Sequence, residues 1–523
     1  MTCPNCRPNS SMAHPYRFVG SRKEEIAHIL NEASRVEAWI SGLRSEKAAL
    51  LRRLNALNSP ISTLPNETLS AIFEFACPSP DFETRIQRLT HPRNTFSPSS
   101  EHVVDDIEDY IPFQLVLGAV SAHWRDVVQG TPRLWKSIVL DVSPNNAQCC
   151  AAILRLFFQK LGLASMSLTV DYSSDFQRST SGLLIHETID HLLIERLPRL
   201  RGLHLTNPPS AWFTHFPSLS QLISLTIDDN NPSSTEFVLP PTAPLRLFGL
   251  RVRERGSPYT TPIQLPFSGI TSVMVSQMPF HDAVRLLLNI PSLIEFRCCR
   301  PRHLGSTALG TTLVAPVVLH RLRVLELSTP TGNCDLASAL IQYLHVPSLR
   351  ELRWEANHQP LGDAEAFFNR LPTTLTKIDL RSSSCLQYLP LDSSVEQLTL
   401  HNCIELHLRA FLESLREKLS QASDCRPLMA FPRLTRLSLA GCILRQFPHG
   451  GVVMGNFLDH KRLIPLFVSA MESRRVEGVE FALDMLSGIS AHWEPMIQER
   501  LREMVAGGFN LKIREGSKQV PWL

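Results

Sequence analysis

The 523-residue chain lacks a strong charge of either sign: 52 Lys and Arg against 49 Asp and Glu leave a formal charge of +3 at pH 7. Nucleic-acid binding needs a clustered basic face, no such cluster is visible, and no nucleic-acid partner is expected. Long hydrophobic runs are missing too. No window reaches the roughly 18 apolar residues of a membrane span, and the N-terminus MTCPNCRPNSSMAHPYRFVG has no apolar segment of the secretory type, so no membrane partner is expected. The catalytic signatures sought, a phosphate loop, HExxH, GxSxG and a Rossmann glycine pattern, are all absent. The 19 histidines do not gather with carboxylates at ligand or acid/base spacing, and no catalytic residue, metal site or cofactor is expected. Cys3-Pro4-Asn5-Cys6 has no second CxxC or His pair to complete a zinc site, and residues 1–20 read as a disordered tail. The 12 cysteines are scattered without the short secreted context of a disulfide framework and read as reduced, buried thiols.

What is present begins with a sevenfold pattern. Ile26, Ala33, Ile40, Lys47, Leu54 and Ile61 form one row, and Ile29, Val36, Leu43, Leu50 and Leu57 form a second, which together make the a/d seam of a coiled-coil-like helix over residues 21–58. Two readings follow from it. The seam pairs two copies into a homodimer through residues 26–61, or the helix lies on another part of its own chain. Ser59-Pro60 ends it.

Next come two short amphipathic helices. Leu64, Leu69, Ile72 and Phe73 recur at helical spacing behind the polar opening of Pro65, Glu67 and Thr68, and Val116, Val120, Trp124, Val127 and Val128 share a second face. Gly130 to Pro132 stops that second stretch before an anchoring pair, Leu134 and Trp135. Between the two lies an insert, residues 77–111, rich in Pro and Ser and then in Asp and Glu, which reads as a flexible loop. The order Leu64-Pro65-x-Glu67-x-Leu69-x-x-Ile72-Phe73, Val120-Ser121-x-x-Trp124-Arg125, Thr131-Pro132-Arg133-Leu134-Trp135 resembles an F-box of the variant common in mushroom-forming fungi. It departs from the common pattern at Ala122, where many F-boxes have Cys, and in the insert.

Beyond residue 140 a spacing apolar-x-x-apolar-x-apolar recurs. It stands at Leu200/Leu203/Leu205, Leu222/Leu225/Ile227, Leu247/Leu250/Val252, Ile270/Val273/Val275 and Leu293/Phe296/Cys298. It continues through Leu322/Leu325/Leu327, Leu349/Leu352/Trp354, Leu375/Ile378/Leu380, Val395/Leu398/Leu400, Leu434/Leu437/Leu439 and Val476/Val479/Phe481. Looser copies precede it at Trp135/Ile138/Leu140 and Leu163/Met166/Leu168. The spacing, roughly 20–29 residues in the centre and about 40 towards both ends, resembles irregular leucine-rich repeats. The last two apolar positions alternate as a half-buried strand requires, and Pro198, Pro291, Pro347 and Pro432 punctuate strand entry. Asn230, Asn357, Cys403 and Cys442 fill the repeat's Asn or Cys position. Helical periodicity over Phe280 to Asn289, Asp363 to Arg370 and Leu408 to Leu419 supplies the other side of each repeat.

The fold class is therefore expected to be α/β: a long N-terminal helix, a small helical F-box over residues 59–140, a repeat solenoid of strand-plus-helix units over residues 135–485, and a C-terminal cap over residues 486–523. The F-box resemblance implies that Leu64, Pro65, Leu69, Ile72, Phe73, Val120, Trp124, Leu134 and Trp135 bind a Skp-type adaptor and through it a cullin, with the repeats holding a protein substrate for ubiquitin transfer. Leu64, Pro65, Leu69, Ile72 and Trp124 should then form an exposed apolar surface. It further implies a non-catalytic protein of the cytoplasm and/or nucleus. On the repeats, residues beside the buried strand positions place Arg251, Arg253, Arg297 and Arg353 on the concave side with Glu326, Glu351 and Glu355. They either grip an anionic substrate group or are neutralised by those glutamates. The residues alone also fit another plan, a leucine-rich-repeat scaffold without ubiquitin chemistry, whose Trp124 and Trp135 are core side chains of a helical cap.

Overall fold

The computed structural model describes residues 21–58, 60–77, 111–143, 145–172, 189, 191–229, 237–252, 263–301, 316–328, 340–355, 364–381, 384–390, 393–401, 405–416, 418–419, 428–429, 431–440, 460–473, 480–485, 495–515 and 518–520. The fold is mixed α/β. The chain separates into two compact units, one helical (through Cys77, and Phe113–Leu134) and one built on a sheet from Trp135 onward. The Cys3/Cys6 pair, Arg253, the Asn and Cys repeat positions and most of the insert lie outside the described residues.

The helical unit opens with α1 (Arg22–Asn58). Ser21 and Glu24 start it with one half of a capping box, the Ser21 N–H donating to Glu24 Oε2 at 2.7 Å, and Glu24 and Glu25 sit favourably in the first turn of the helix dipole. Then follow α2 (Asn66–Ala76), α3 (Phe113–Val120) and α4 (Ala122–Gly130). The last is capped by Ser121, whose hydroxyl accepts the Trp124 N–H at 3.1 Å. Leu69 and Phe73, four apart on α2, and Val127 and Val128 on α4 are buried, and the Phe73 and Trp124 rings lie 4.8 Å apart.

The sheet unit carries a 15-stranded sheet in which spatial order is sequence order. Its first fourteen strands are parallel, and a short antiparallel strand closes it. They are β1 (Ser137–Val142), β2 (Met166–Tyr172), β3 (Leu200–Thr206), β4 (Ser224–Asp229) and β5 (Leu247–Val252). Then come β6 (Ser272–Ser276), β7 (Glu295–Cys299), β8 (Val324–Ser328), β9 (Glu351–Glu355) and β10 (Lys377–Arg381). The sheet finishes with β11 (Gln397–His401), β12 (Arg436–Ala440), β13 (Glu480–Met485), β14 (Leu511–Glu515) and β15 (Lys518–Gln519). Segments 480–485, 511–515 and 518–519, on either side of the expected cap boundary, thus belong to one sheet.

In-register apolar pairs run from strand to strand, for example Leu325↔Leu352↔Ile378↔Leu398↔Leu437↔Phe481. On the same side of the sheet lie α5 (Ala147–Leu161), with Phe157 against Trp135 at 4.8 Å, and α6 (Ala364–Asn369), whose Phe367 and Phe368 flank Trp354 at 5.9 and 6.2 Å. Hydroxyls placed immediately before strand-entry positions staple neighbouring strands: Ser292 donates to the Ile270 carbonyl at 2.7 Å, Thr374 to Leu349 at 2.8 Å and Ser394 to Leu375 at 3.1 Å.

Three expected strand registers differ from the observed ones by two residues. Leu168 and Val170, not Met166 and Leu168, pair with Ile138 and Leu140. Phe248 and Leu250 pair with Leu225 and Ile227, and Phe481 and Leu483 with Leu437 and Leu439. A shift of two preserves which face a side chain occupies, so the apolar alternation alone fits both registers. The described cysteines are also not uniformly hidden: Cys150, Cys298 and Cys299 are buried, whereas Cys149 is exposed.

Candidate functional site

The helical unit presents apolar side chains that its own core does not use. On α2, Leu69 and Phe73 point inward while Ile72 (46% exposed) and Phe75 (95%) point outward. On α3, Leu117 is buried while Val116 and Val120 are exposed. Polar groups fix the frame behind them. The Thr131 hydroxyl donates its proton to the Val127 carbonyl at 2.7 Å, which leaves the Ser70 hydroxyl, 2.8 Å away, as donor to Thr131 and ties α2 to the end of α4. Arg125 Nε donates to the Gly118 carbonyl at 2.9 Å across the α3–α4 corner, and buried Gln114 donates to the Leu134 carbonyl. Arg133 and Glu74, 3.6 Å apart at the surface, add little.

The residues expected to dock an adaptor thus fall into three groups. Pro65, Ile72 and Val120 are exposed; Leu64 and Trp124 are partly covered; Leu69, Phe73, Leu134 and Trp135 are buried. The single exposed surface expected of Leu64, Pro65, Leu69, Ile72 and Trp124 is corrected accordingly. Leu69 and Phe73 form the inner stripe of α2, and Trp135 belongs to the sheet unit, edge-on to Phe157. Phe75 was not singled out from the sequence, and Val116, placed there on one helical face with Val120, was not counted among the docking residues. Their signal is helical spacing from known exposed positions, three after Ile72 and four before Val120.

The second candidate surface is the polar face of the sheet, lined by the residues that alternate with the buried rows. Arg297, with its side chain 7% exposed, binds Glu295 and stands 4.0 Å from Glu326, which Arg353 approaches from the other side at 3.6 Å. Arg353 Nε donates to Glu351 at 2.7 Å, Lys377 lies 3.3 Å from the same carboxylate, and Arg381 and His401 flank Asp379 at 3.3 and 3.4 Å. Arg251 stands 3.7 Å from Asp228. Arg251, Arg297 and Arg353 are therefore each matched by a carboxylate, and their face is a ladder of alternating charge. Among the described residues, none of Arg251, Arg297 and Arg353 is an uncommitted guanidinium group. Beside it a shallow groove of about 370 Å³ is lined by Arg323, Arg350, Glu351, Lys377 and Glu396 among others.

Burial alone would raise the Glu351 carboxyl, but the charges and hydrogen bonds of Arg353 and Lys377 outweigh it and hold the group below the usual carboxylate range. A depressed folded value means that this stabilisation is complete above the unfolded carboxylate pKa and is lost as pH falls through the folded value. Glu351→Gln should therefore melt at lower temperature than the parent at pH 7, with the gap closing in acid. A melting series from neutral to acid pH reads it, and a gap constant across the series would show that the ion pairs contribute nothing. The Cys299 thiol donates to Glu326 at 3.1 Å; burial, and then the Glu326 charge, push the Cys298 and Cys299 thiols up, which keeps both protonated and unreactive at neutral pH. Among the described residues no cluster of three or more His, Cys, Asp or Glu stands at metal-binding distance, and no helix is long and apolar enough to cross a membrane.

No protein-family model matches the chain, and comparison with curated proteins finds no match.

Proposed function

We propose that the chain is the substrate-recognition subunit of an SCF-type cullin-RING ubiquitin ligase, its helical unit an F-box and its sheet unit an irregular leucine-rich-repeat solenoid with a C-terminal cap. The observation that carries this reading is the division of α2 and α3: each commits one apolar stripe to the unit's own core and leaves another, Ile72 with Phe75 and Val116 with Val120, in water. Side chains this large and this exposed on a small, hydrogen-bonded frame fit an anchor for a partner. The motif order quoted above names that partner as a Skp-type adaptor, which joins the chain to a cullin.

The solenoid reading rests on strand order. Parallel strands taken in sequence, each with apolar residues towards one face and polar residues towards the other, are what stacked repeats of a strand and a return segment produce. The polar face then receives a protein substrate, and its alternating charges favour a partner of matching mixed charge over a strongly anionic one. The chain on this reading recruits and does not catalyse, acting in the cytoplasm and/or nucleus. The test is affinity purification of the full chain from the cell that makes it, followed by binding to a purified Skp-type adaptor. Adaptor and cullin should co-purify; a full chain that captures neither ends the ligase reading.

A further inference from the structure

The long helix α1 stands in water on the very side where its sequence is apolar. Ile40 is 43% exposed and Trp39 77%, with Ile26, Leu30, Leu43 and Leu50 between those limits. All of these fall at the a, d, e and g positions of the heptad rows, while the opposite face holds no large apolar side chain, only Ala, Ser, Asn, Gly, His and charged residues such as Arg35 and Arg52. A single helix of about 55 Å with an open apolar seam draws most of its stability from whatever covers that seam.

We infer that a second copy of this chain covers it, in antiparallel orientation. Charge and volume both select that orientation. Side by side and parallel, Lys47 would face Lys47, Ala33 would face Ala33 and leave a gap, and Glu32 at g would face Glu37 at e on both sides of the seam. Turned end for end about a two-fold axis between Ser41 and Gly42, the same helices place Lys47 beside Val36, Ala33 beside Leu50 and Ile40 beside Leu43. The flanking positions then become Glu32 with Arg53, Glu37 with Arg44 and Leu30 with Leu51, each occurring twice by symmetry. In the single copy, Glu32 is held only across the helix surface by Arg35 at 2.8 Å, a solvated pair that exchanges at little cost. Because the described elements that follow α1 leave it at its C-terminal end, antiparallel pairing sets the two exits about 50 Å apart and makes the protein bivalent.

This inference stands apart from the ligase reading, since a dimer forms or fails to form whether or not an adaptor binds. Light scattering on the full chain at micromolar concentration should give twice the 58.8 kDa chain mass. Glu32→Arg sets two cations against each other in the antiparallel pair and should weaken the dimer roughly tenfold, and adding Arg53→Glu should restore it. In a parallel dimer Glu32→Arg would instead meet Glu37 and tighten association. Tighter or unchanged association in that variant overturns the orientation, and a monomeric parent overturns the proposal.

Discussion

Leu352→Asp should abolish the cooperative melting of the sheet unit. Leu352 is fully buried in β9, level with Leu325 on one side and Ile378 on the other, in the strand whose Trp354 is flanked by Phe367 and Phe368. Removing its apolar bulk costs on the order of 2–5 kcal/mol, and an uncompensated carboxylate in its place adds several more, enough to consume a typical domain stability of about 5–15 kcal/mol. Circular dichroism against temperature measures this directly. A melting curve equal to the parent's would remove Leu352 from the core and with it the observed strand register.

The second large effect is on binding. Ile72→Asp combined with Phe75→Asp places two charges where the adaptor reading needs apolar anchors, and should weaken adaptor binding about 100-fold or more while the melting temperature stays near the parent's. The contrast is Leu69→Ala on the inner stripe of the same helix, 1% exposed, which should cost on the order of 2–5 kcal/mol of stability. A titration of both variants against purified adaptor separates surface from core. Undiminished binding by the folded Ile72/Phe75 double variant would move docking off α2.

How much of this was legible in the sequence depends on the distance over which each signal acts. The strands and their buried faces were readable because alternation is a local property, as in Leu325/Leu327 or Leu398/Leu400. Register was readable along most of the sheet, with or without a proline at strand entry, as at Leu325, Ile378 and Leu398. Pro291 and Pro347 pinned β7 and β9, whereas the Leu247 segment offers apolar residues at 245, 247, 248, 250 and 252, and the two-residue slip changes nothing that periodicity can detect. The inner and outer stripes of α2 could not be assigned, because Leu69 and Ile72 are equally apolar and only the packing partner decides which is covered. The charge ladder was legible only as one of two open readings, neutralisation of the arginines by nearby glutamates; its pairings were not, because Arg297 meets Glu326, and Arg353 meets Glu326, across strands that are neighbours only after folding. The hydroxyl staples were there to be read, as Ser or Thr directly before Leu293, Leu375 and Val395, but a single Ser or Thr at one offset is too common to notice without the carbonyl it reaches.

One property of the sheet reaches back to how the molecule is made. Since spatial order equals sequence order from β1 to β14, each strand of this sheet pairs with the sheet strand synthesised before it. At typical elongation speeds a new strand leaves the ribosome every few seconds, long after the previous one has had time to settle, so its pairing edge is already in place when it emerges. Translation can thus act as the template for assembly of this sheet: its growing edge is always its newest edge, and the antiparallel β15 pairs back onto β14.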